Sequence, residues 1–91
     1  MIDVRVPHQL TRVEAKARFE ELARKKSIAI ASAPDGFSGT IEKSVPFIGS
    51  AKASYEIAAD ALLVRVIEAP AFLSEATLRR MLEDELGSAF A

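Results

Sequence analysis

Apolar and polar residues alternate over 2–6, which predicts a short strand that ends before Pro7. The period then changes to the helical one. Thr11 and Glu14 have the spacing of a capping box, in which each side chain binds the backbone N–H of the other residue. We therefore expect a helix that begins at Thr11 and runs to about Lys26. Its predicted buried stripe consists of Ala15, Phe19, Leu22 and Ala23.

After this helix the period of two returns four times and predicts four consecutive strands. These strands cover 28–33, 37–43, 47–57 and 61–68. The segment 34–36, Pro-Asp-Gly, supplies the residues that a tight turn between the first two strands requires. A second helix is expected to begin near Ser74, which is a good N-cap residue. Its predicted buried stripe consists of Leu78, Met81, Leu82 and Leu86.

The order β-α-β-β-β-β-α predicts one α+β domain over residues 1–91. Sequential hairpins favour an antiparallel sheet of four to five strands with both helices packed on one face. Gly39 and Gly49 are expected to let a helix approach this sheet closely, because they carry no side chain. The opposite face of the sheet would then be open.

The last predicted strand does not alternate cleanly, and it marks a candidate interface on the open face. If its other apolar residues face the helices, Leu63 and Ile67 flank Arg65 on the open side. Ala29 and Ala31 would add a small apolar area. An apolar strip within a polar sheet face is typical of an interface. The alternative is that a central strand is simply apolar on both faces.

The composition argues against several kinds of site. The formal net charge of −1 gives no long-range attraction to nucleic acid. The chain has no cysteine, so disulfides and thiolate metal sites are excluded. The acidic run 83–85 lies on a helix, where consecutive side chains point in different directions and do not converge on one ion. We therefore expect no metal, no cofactor and no nucleic-acid partner.

His8 is the only histidine, and it stands between the first strand and the first helix. It could bind a ligand or act as a base at the start of the helix, or it could be a junction residue that packs against the sheet edge. No pattern in the sequence assigns it a catalytic partner. The chain therefore has no recognisable catalytic constellation, and we expect a protein that is not an enzyme.

A chain of 91 residues buries a small core, so a partner subunit would add stability, and we expect a homodimer. The first residues lack the basic and apolar segments of a secretory signal. The sequence has no run of about 20 apolar residues that could span a bilayer. These features predict a soluble, cytoplasmic protein with no integral membrane span.

Several segments resemble the polyhydroxyalkanoic acid system proteins, which are short bacterial proteins associated with polyhydroxyalkanoate synthesis genes. The matching residues are Pro7, His8, Gln9, Leu10, Ala15, Arg18, Glu21, Leu22, Ala23, Gly49, Arg80, Leu82 and Leu86. The resemblance extends over nearly the whole chain. It implies a location at polyester storage granules and supplies no catalytic residues.

Three hypotheses about function follow from the sequence. The first is a non-enzymatic accessory protein of the polyhydroxyalkanoate storage system, which associates with granules or granule proteins. The alternative is a small-molecule binding module whose pocket lies between helices and sheet, above Gly49, Ala51 and Ala53. The third is a small enzyme that uses His8.

Overall fold

The computed structural model describes residues 2–45, 49–69 and 74–90, and within these ranges it contains five strands and two α-helices. In chain order the elements are β1 (Asp3–Pro7), α1 (Arg12–Lys25), β2 (Ala29–Ser32), β3 (Ser38–Val45), β4 (Gly49–Ile57), β5 (Ala61–Glu68), α2 (Glu75–Gly87) and a 3-10 helix (Ser88–Phe90). This is the predicted order β-α-β-β-β-β-α. Phe47, with which the predicted strand 47–57 begins, lies outside the described residues.

All five strands form one antiparallel sheet with the order β1-β5-β4-β3-β2. The strands β2 to β5 follow one another as a meander, whereas β1 pairs with the last strand. In that pairing Asp3 lies opposite Arg65, 62 positions later in the chain. The predicted α+β fold with an antiparallel sheet is confirmed.

The helix α1 begins with the capping box that the sequence predicts. The Thr11 hydroxyl accepts a hydrogen bond from the Glu14 backbone N–H at 3.1 Å, and the Glu14 carboxylate accepts one from the Thr11 N–H at 3.4 Å. The helix buries its predicted stripe, Ala15, Phe19, Leu22 and Ala23. The Phe19 ring packs against the Tyr55 ring of β4 at a centroid distance of 4.8 Å. Because both rings are buried, this contact joins α1 to the middle of the sheet.

The helix α2 has the predicted N-cap, since the Ser74 hydroxyl accepts from the Thr77 N–H at 3.2 Å. Leu78 and Leu86 are buried, whereas 47% of Met81 is exposed, so the buried stripe is narrower than predicted. The two helices share one core with the inner face of the sheet. Neither α1 nor α2 is long and apolar enough to cross a lipid bilayer.

Glycine is required at position 39 for a reason other than the expected close approach of a helix. A Cβ atom at this position would overlap the Ala31 carbonyl oxygen and lie 3.0 Å from the Ser32 Cα, both on the neighbouring strand β2. The φ angle of Gly39 is also positive, at 157°. Gly39 is therefore needed for the approach of two strands and not for helix packing. At Gly49 a Cβ atom would meet nothing within 4 Å.

The turn between β2 and β3 is held by Asp35. Its Oδ1 atom accepts hydrogen bonds from the backbone N–H groups of Phe37, at 2.9 Å, and Ser38, at 3.1 Å. The Ser38 hydroxyl donates to the same carboxylate. These donors favour the ionised form, so the pKa of Asp35 lies below its ordinary value, first because of the Phe37 hydrogen bond.

This lowered pKa predicts a stability that decreases in acid. An unfolded Asp titrates near about 3.9, so the contribution of Asp35 is complete well above that pH and is lost as pH falls through the lower folded-state pKa. Asp35→Asn keeps an oxygen acceptor but does not ionise. Between about pH 6 and about pH 2.5, its urea midpoint should fall less steeply than that of the wild type. If the urea midpoints of the two proteins fall in parallel with pH, the charge of Asp35 does not contribute to stability in this way.

Candidate binding surface

The sheet face opposite the helices has its most distinctive chemistry over β1, β5 and β4. Two rows of side chains cross these strands: Asp3, Arg65 and Ser54 in one row, and Arg5, Leu63 and Glu56 in the next. We refer to these six residues as the open-face patch. The patch mixes both signs of charge with one large apolar residue.

The open-face patch lines a depression of about 360 Å³ that is open to solvent. Val4, Tyr55 and Val64 also line it, although their side chains are buried in the core. The backbone of the sheet therefore forms the floor, and the side chains of the patch form the walls. A depression of this size fits part of a chain or a small group, and its open form suits a surface contact better than an enclosed ligand.

Two ion pairs organise the charges around this depression. The Arg65 Nε atom lies 2.8 Å from the Asp3 Oδ1 atom, and the Arg5 guanidinium lies 3.0 Å from the Asp60 carboxylate. The hydrogen bond from Arg65 lowers the pKa of Asp3, and the same bond raises the pKa of Arg65. All four side chains are well exposed, so the pairs add little stability. Each pair places a guanidinium group beside a carboxylate on or next to this face.

Leu63 is the apolar centre of the patch, and 37% of it is exposed. It lies between Arg5 on β1 and Glu56 on β4, and Arg65 is the next residue of β5 on the same face. The predicted neighbours Leu63 and Arg65 thus share one surface. Leu63 is surrounded on this face by the charged residues Arg5, Glu56 and Arg65. These neighbours therefore do not form a continuous apolar strip with it.

Ile67 lies at an irregularity in the sheet. Val66 pairs with Ala53 and Glu68 pairs with Lys52, so the register shifts between these pairs and Ile67 has no partner on β4. A bulge of this kind interrupts the alternation of faces. Ile67 is 42% exposed, but the register does not place it in the row after Arg65. Because of this bulge, the alternation of faces along β5 does not place Ile67 in the open-face patch.

Ala29 and Ala31 share the open face with Glu42 and Thr40, their partners on β3. They lie on β2, the far edge strand, and β4 and β3 separate them from β5. Since neighbouring strands are about 4.8 Å apart, these alanines lie roughly 14 Å from Leu63. They belong to a different part of the surface.

His8 is 7% exposed and both of its ring nitrogens bind backbone groups. The Nδ1 atom accepts from the Leu10 N–H at 3.1 Å, which leaves the proton on Nε2 to donate to the Ala58 carbonyl oxygen at 3.1 Å. The ring also lies 5.2 Å from the Phe90 ring. These contacts give His8 the surroundings of a junction residue that connects β1, α1 and the turn before β5.

Gly49, Ala51 and Ala53 of β4 do not line the depression described above. Ala53 is 5% exposed and belongs to the core, while Gly49 is exposed at the start of the strand. The depression lies on the other face of the sheet. A pocket between helices and sheet above Gly49, Ala51 and Ala53 therefore has no support from this depression.

The acidic residues of α2 are spread over its surface. The Glu85 carboxylate lies 3.4 Å from the Lys43 ammonium group of β3, whereas Glu83 and Asp84 are exposed. Among the described residues, no group of three His, Asp or Glu side chains is close enough to hold a metal ion. The Glu85–Lys43 ion pair joins α2 to the sheet.

The sequence predicts two of the six members of the patch, Leu63 and Arg65, and does not single out the other four, which are Asp3, Arg5, Ser54 and Glu56. Asp3 and Arg5 join them because β1 pairs with β5, a contact between the two most distant strands. Ser54 and Glu56 join from β4, where they lie opposite Arg65 and Leu63. The polar positions in the alternation of β1 indicate that Asp3 and Arg5 face away from the core, but they do not indicate which strand is adjacent.

The chain was compared with models of protein families, with curated proteins and with solved structures, and it matches none of them. The resemblance to the polyhydroxyalkanoic acid system proteins therefore stays a prediction.

Proposed function

We propose that this protein is a cytoplasmic, non-enzymatic accessory protein that associates with polyhydroxyalkanoate granules or granule proteins through the open-face patch. The family resemblance of the sequence supplies the biological setting. The position of Leu63, exposed in a depression that Arg5 and Arg65 also line, supports the proposed surface.

The chemistry of the patch is complementary to a polyester. Such a polymer offers ester carbonyl oxygens as hydrogen-bond acceptors and apolar side groups, but it has no donors and no charge. Arg5, Arg65 and Ser54 provide donors in the walls of the depression, and Leu63 provides apolar contact beside them.

The surroundings of the titratable groups support binding more than catalysis. The His8 ring uses both nitrogens for backbone contacts. The carboxylate of Asp3 is paired with Arg65, and its lowered pKa opposes the uptake of a proton near neutral pH. A general acid or base needs a pKa close to the working pH, and the paired Asp3 is far from that condition.

Leu63→Glu should weaken association with poly(3-hydroxybutyrate) particles by about tenfold or more. The change removes the apolar contact, and about 1.4 kcal/mol corresponds to a factor of ten. It also adds a charge that the polymer does not compensate. Co-sedimentation of the protein with the particles over a concentration series measures the dissociation constant.

Val13→Glu is the matched control, because Val13 is 69% exposed on α1 and the substitution is of the same kind. It should bind the particles as the wild type does, and both variants should keep the wild-type melting temperature within a few degrees. Equal binding by a folded Leu63→Glu variant would remove the open-face patch from the proposal. If the wild-type protein binds neither the particles nor proteins extracted from granules, the polyester setting is wrong.

A further inference from the structure

The two edges of the sheet are protected to different degrees. At the β1 edge, the Arg79 guanidinium of α2 donates a hydrogen bond of 2.9 Å to the Asp3 carbonyl oxygen. Ile2 bonds inward to Val66, so by alternation the Asp3 carbonyl points outward, away from β5. Pro7 ends this strand without an N–H group. Charged side chains, Asp3 and Arg5, also stand along it. These are common devices against strand pairing.

The β2 edge carries backbone groups that point away from the sheet. Ala33 donates its N–H inward to the Ser38 carbonyl oxygen at 2.8 Å, so the odd-numbered residues of β2 bond to β3. By alternation the N–H and C=O groups of Ile30 and Ser32 point outward. No described residue hydrogen-bonds to these outward groups.

The side chains of this segment do not protect the edge either. The segment 27–34, Ser-Ile-Ala-Ile-Ala-Ser-Ala-Pro, contains no charged residue, and its proline comes after the strand. Ile28 and Ile30 are half-buried and pack against the core at the helix side of the sheet. An uncharged edge with open backbone groups is a template for another strand.

We propose that β2 pairs antiparallel with β2 of a second copy of this chain, across a two-fold axis at Ile30. The charges at the ends of the strand favour this partner and this direction. Lys25 and Lys26 precede β2, and Asp35 follows it. An antiparallel pair brings the basic end of one copy to the acidic end of the other, whereas a parallel pair would place like charges together.

The two-fold axis at Ile30 gives the pairing a definite register. Ile30 of each copy exchanges both backbone hydrogen bonds with Ile30 of the other, and the Ser32 N–H donates to the Ile28 carbonyl oxygen, about four bonds in all. The Ile28 and Ile30 side chains of the two copies cover each other and extend the core. Ala29 lies opposite Ala31 of the second copy, where small side chains allow close approach. The pairing goes beyond the proposed function and does not depend on it.

Sedimentation analysis of the wild-type chain tests the pairing directly. We expect a concentration-dependent mass that approaches twice 9.8 kDa. Ala29→Lys/Ala31→Lys places like charges opposite each other across the axis, and both positions are exposed in the single chain. This variant should weaken dimerisation at least tenfold. Val13→Lys/Ala17→Lys adds the same charge on exposed positions of α1 and should dimerise as the wild type does.

Cysteine cross-linking tests the register, because the chain has no cysteine of its own. Directly opposite residues in a non-hydrogen-bonded pair have Cα atoms about 4.5 Å apart, within reach of a disulfide. Ala29→Cys mixed with Ala31→Cys should form a covalent dimer under mild oxidation, and neither variant should do so alone. A covalent dimer of Ala31→Cys alone would overturn the register. A wild-type chain that stays monomeric up to millimolar concentration would overturn the pairing itself.

Discussion

Gly39→Ala should destabilise the protein by at least about 3 kcal/mol, the largest effect that we expect of any small substitution. The new methyl group would overlap the Ala31 carbonyl oxygen and press on the Ser32 Cα atom, both of which are backbone atoms of β2. Backbone does not yield as the end of a flexible side chain does, so β2 must separate from β3. Thermal unfolding should show a melting temperature lower by about 12–24 °C.

Gly49→Ala is the control for this substitution. Gly49 also has a positive φ angle, 122°, but a Cβ atom there meets nothing within 4 Å. It therefore measures the backbone strain without the overlap, on the order of 1–2 kcal/mol. If the two variants lose equal stability, strain and not strand approach explains the need for Gly39.

His8→Ala should lower the free energy of unfolding by about 2–4 kcal/mol. The substitution leaves the Leu10 N–H and the Ala58 carbonyl oxygen without their partner in a partly buried site, where each unsatisfied group costs up to about 1–3 kcal/mol. The contact of the ring with Phe90 is lost as well. Urea unfolding monitored by circular dichroism measures the loss.

Two conservative variants separate the two hydrogen bonds of His8. His8→Asn keeps an acceptor near the position of Nδ1, and His8→Gln keeps a donor near the position of Nε2. Each should restore about 1 kcal/mol of the loss. Particle binding should be unchanged in every variant that folds, since His8 lies outside the open-face patch. If a folded His8 variant has wild-type stability but binds the particles more weakly, His8 has a role in binding and is not only a structural residue.

Local features of the fold could be predicted from the sequence because they depend on neighbouring residues. The capping box at Thr11 and Glu14 closes within one helical turn, and the turn at Asp35 closes within four residues. The helical spacing in α1 predicts that Phe19 is buried, and the structure buries it. Short-range bonding and burial of one face are enough to determine these elements.

Distant contacts could not be predicted in the same way. The alternation of β1 shows which of its residues face the core, but it carries no information about the neighbouring strand. The patch was consequently anticipated only at Leu63 and Arg65, without Asp3 and Arg5. The bulge at Ile67 adds one residue to β5, and a simple period of two does not reveal it. The contact between Gly39 and β2 likewise depends on the approach of two backbones.

The pairing of the first strand with the last has a consequence for how the chain reaches its folded state. Asp3 is synthesised 62 residues before its partner Arg65, a delay of roughly 3–12 s at about 5–20 residues per second. During that time the growing chain can form α1 and the hairpins of β2 to β4 by short loop closures. The apolar side of β1 stays without its neighbouring strand until β5 has been synthesised. The helix α2, whose Arg79 binds the Asp3 backbone, is synthesised later still. The core therefore closes only after nearly all of these 91 residues have been synthesised.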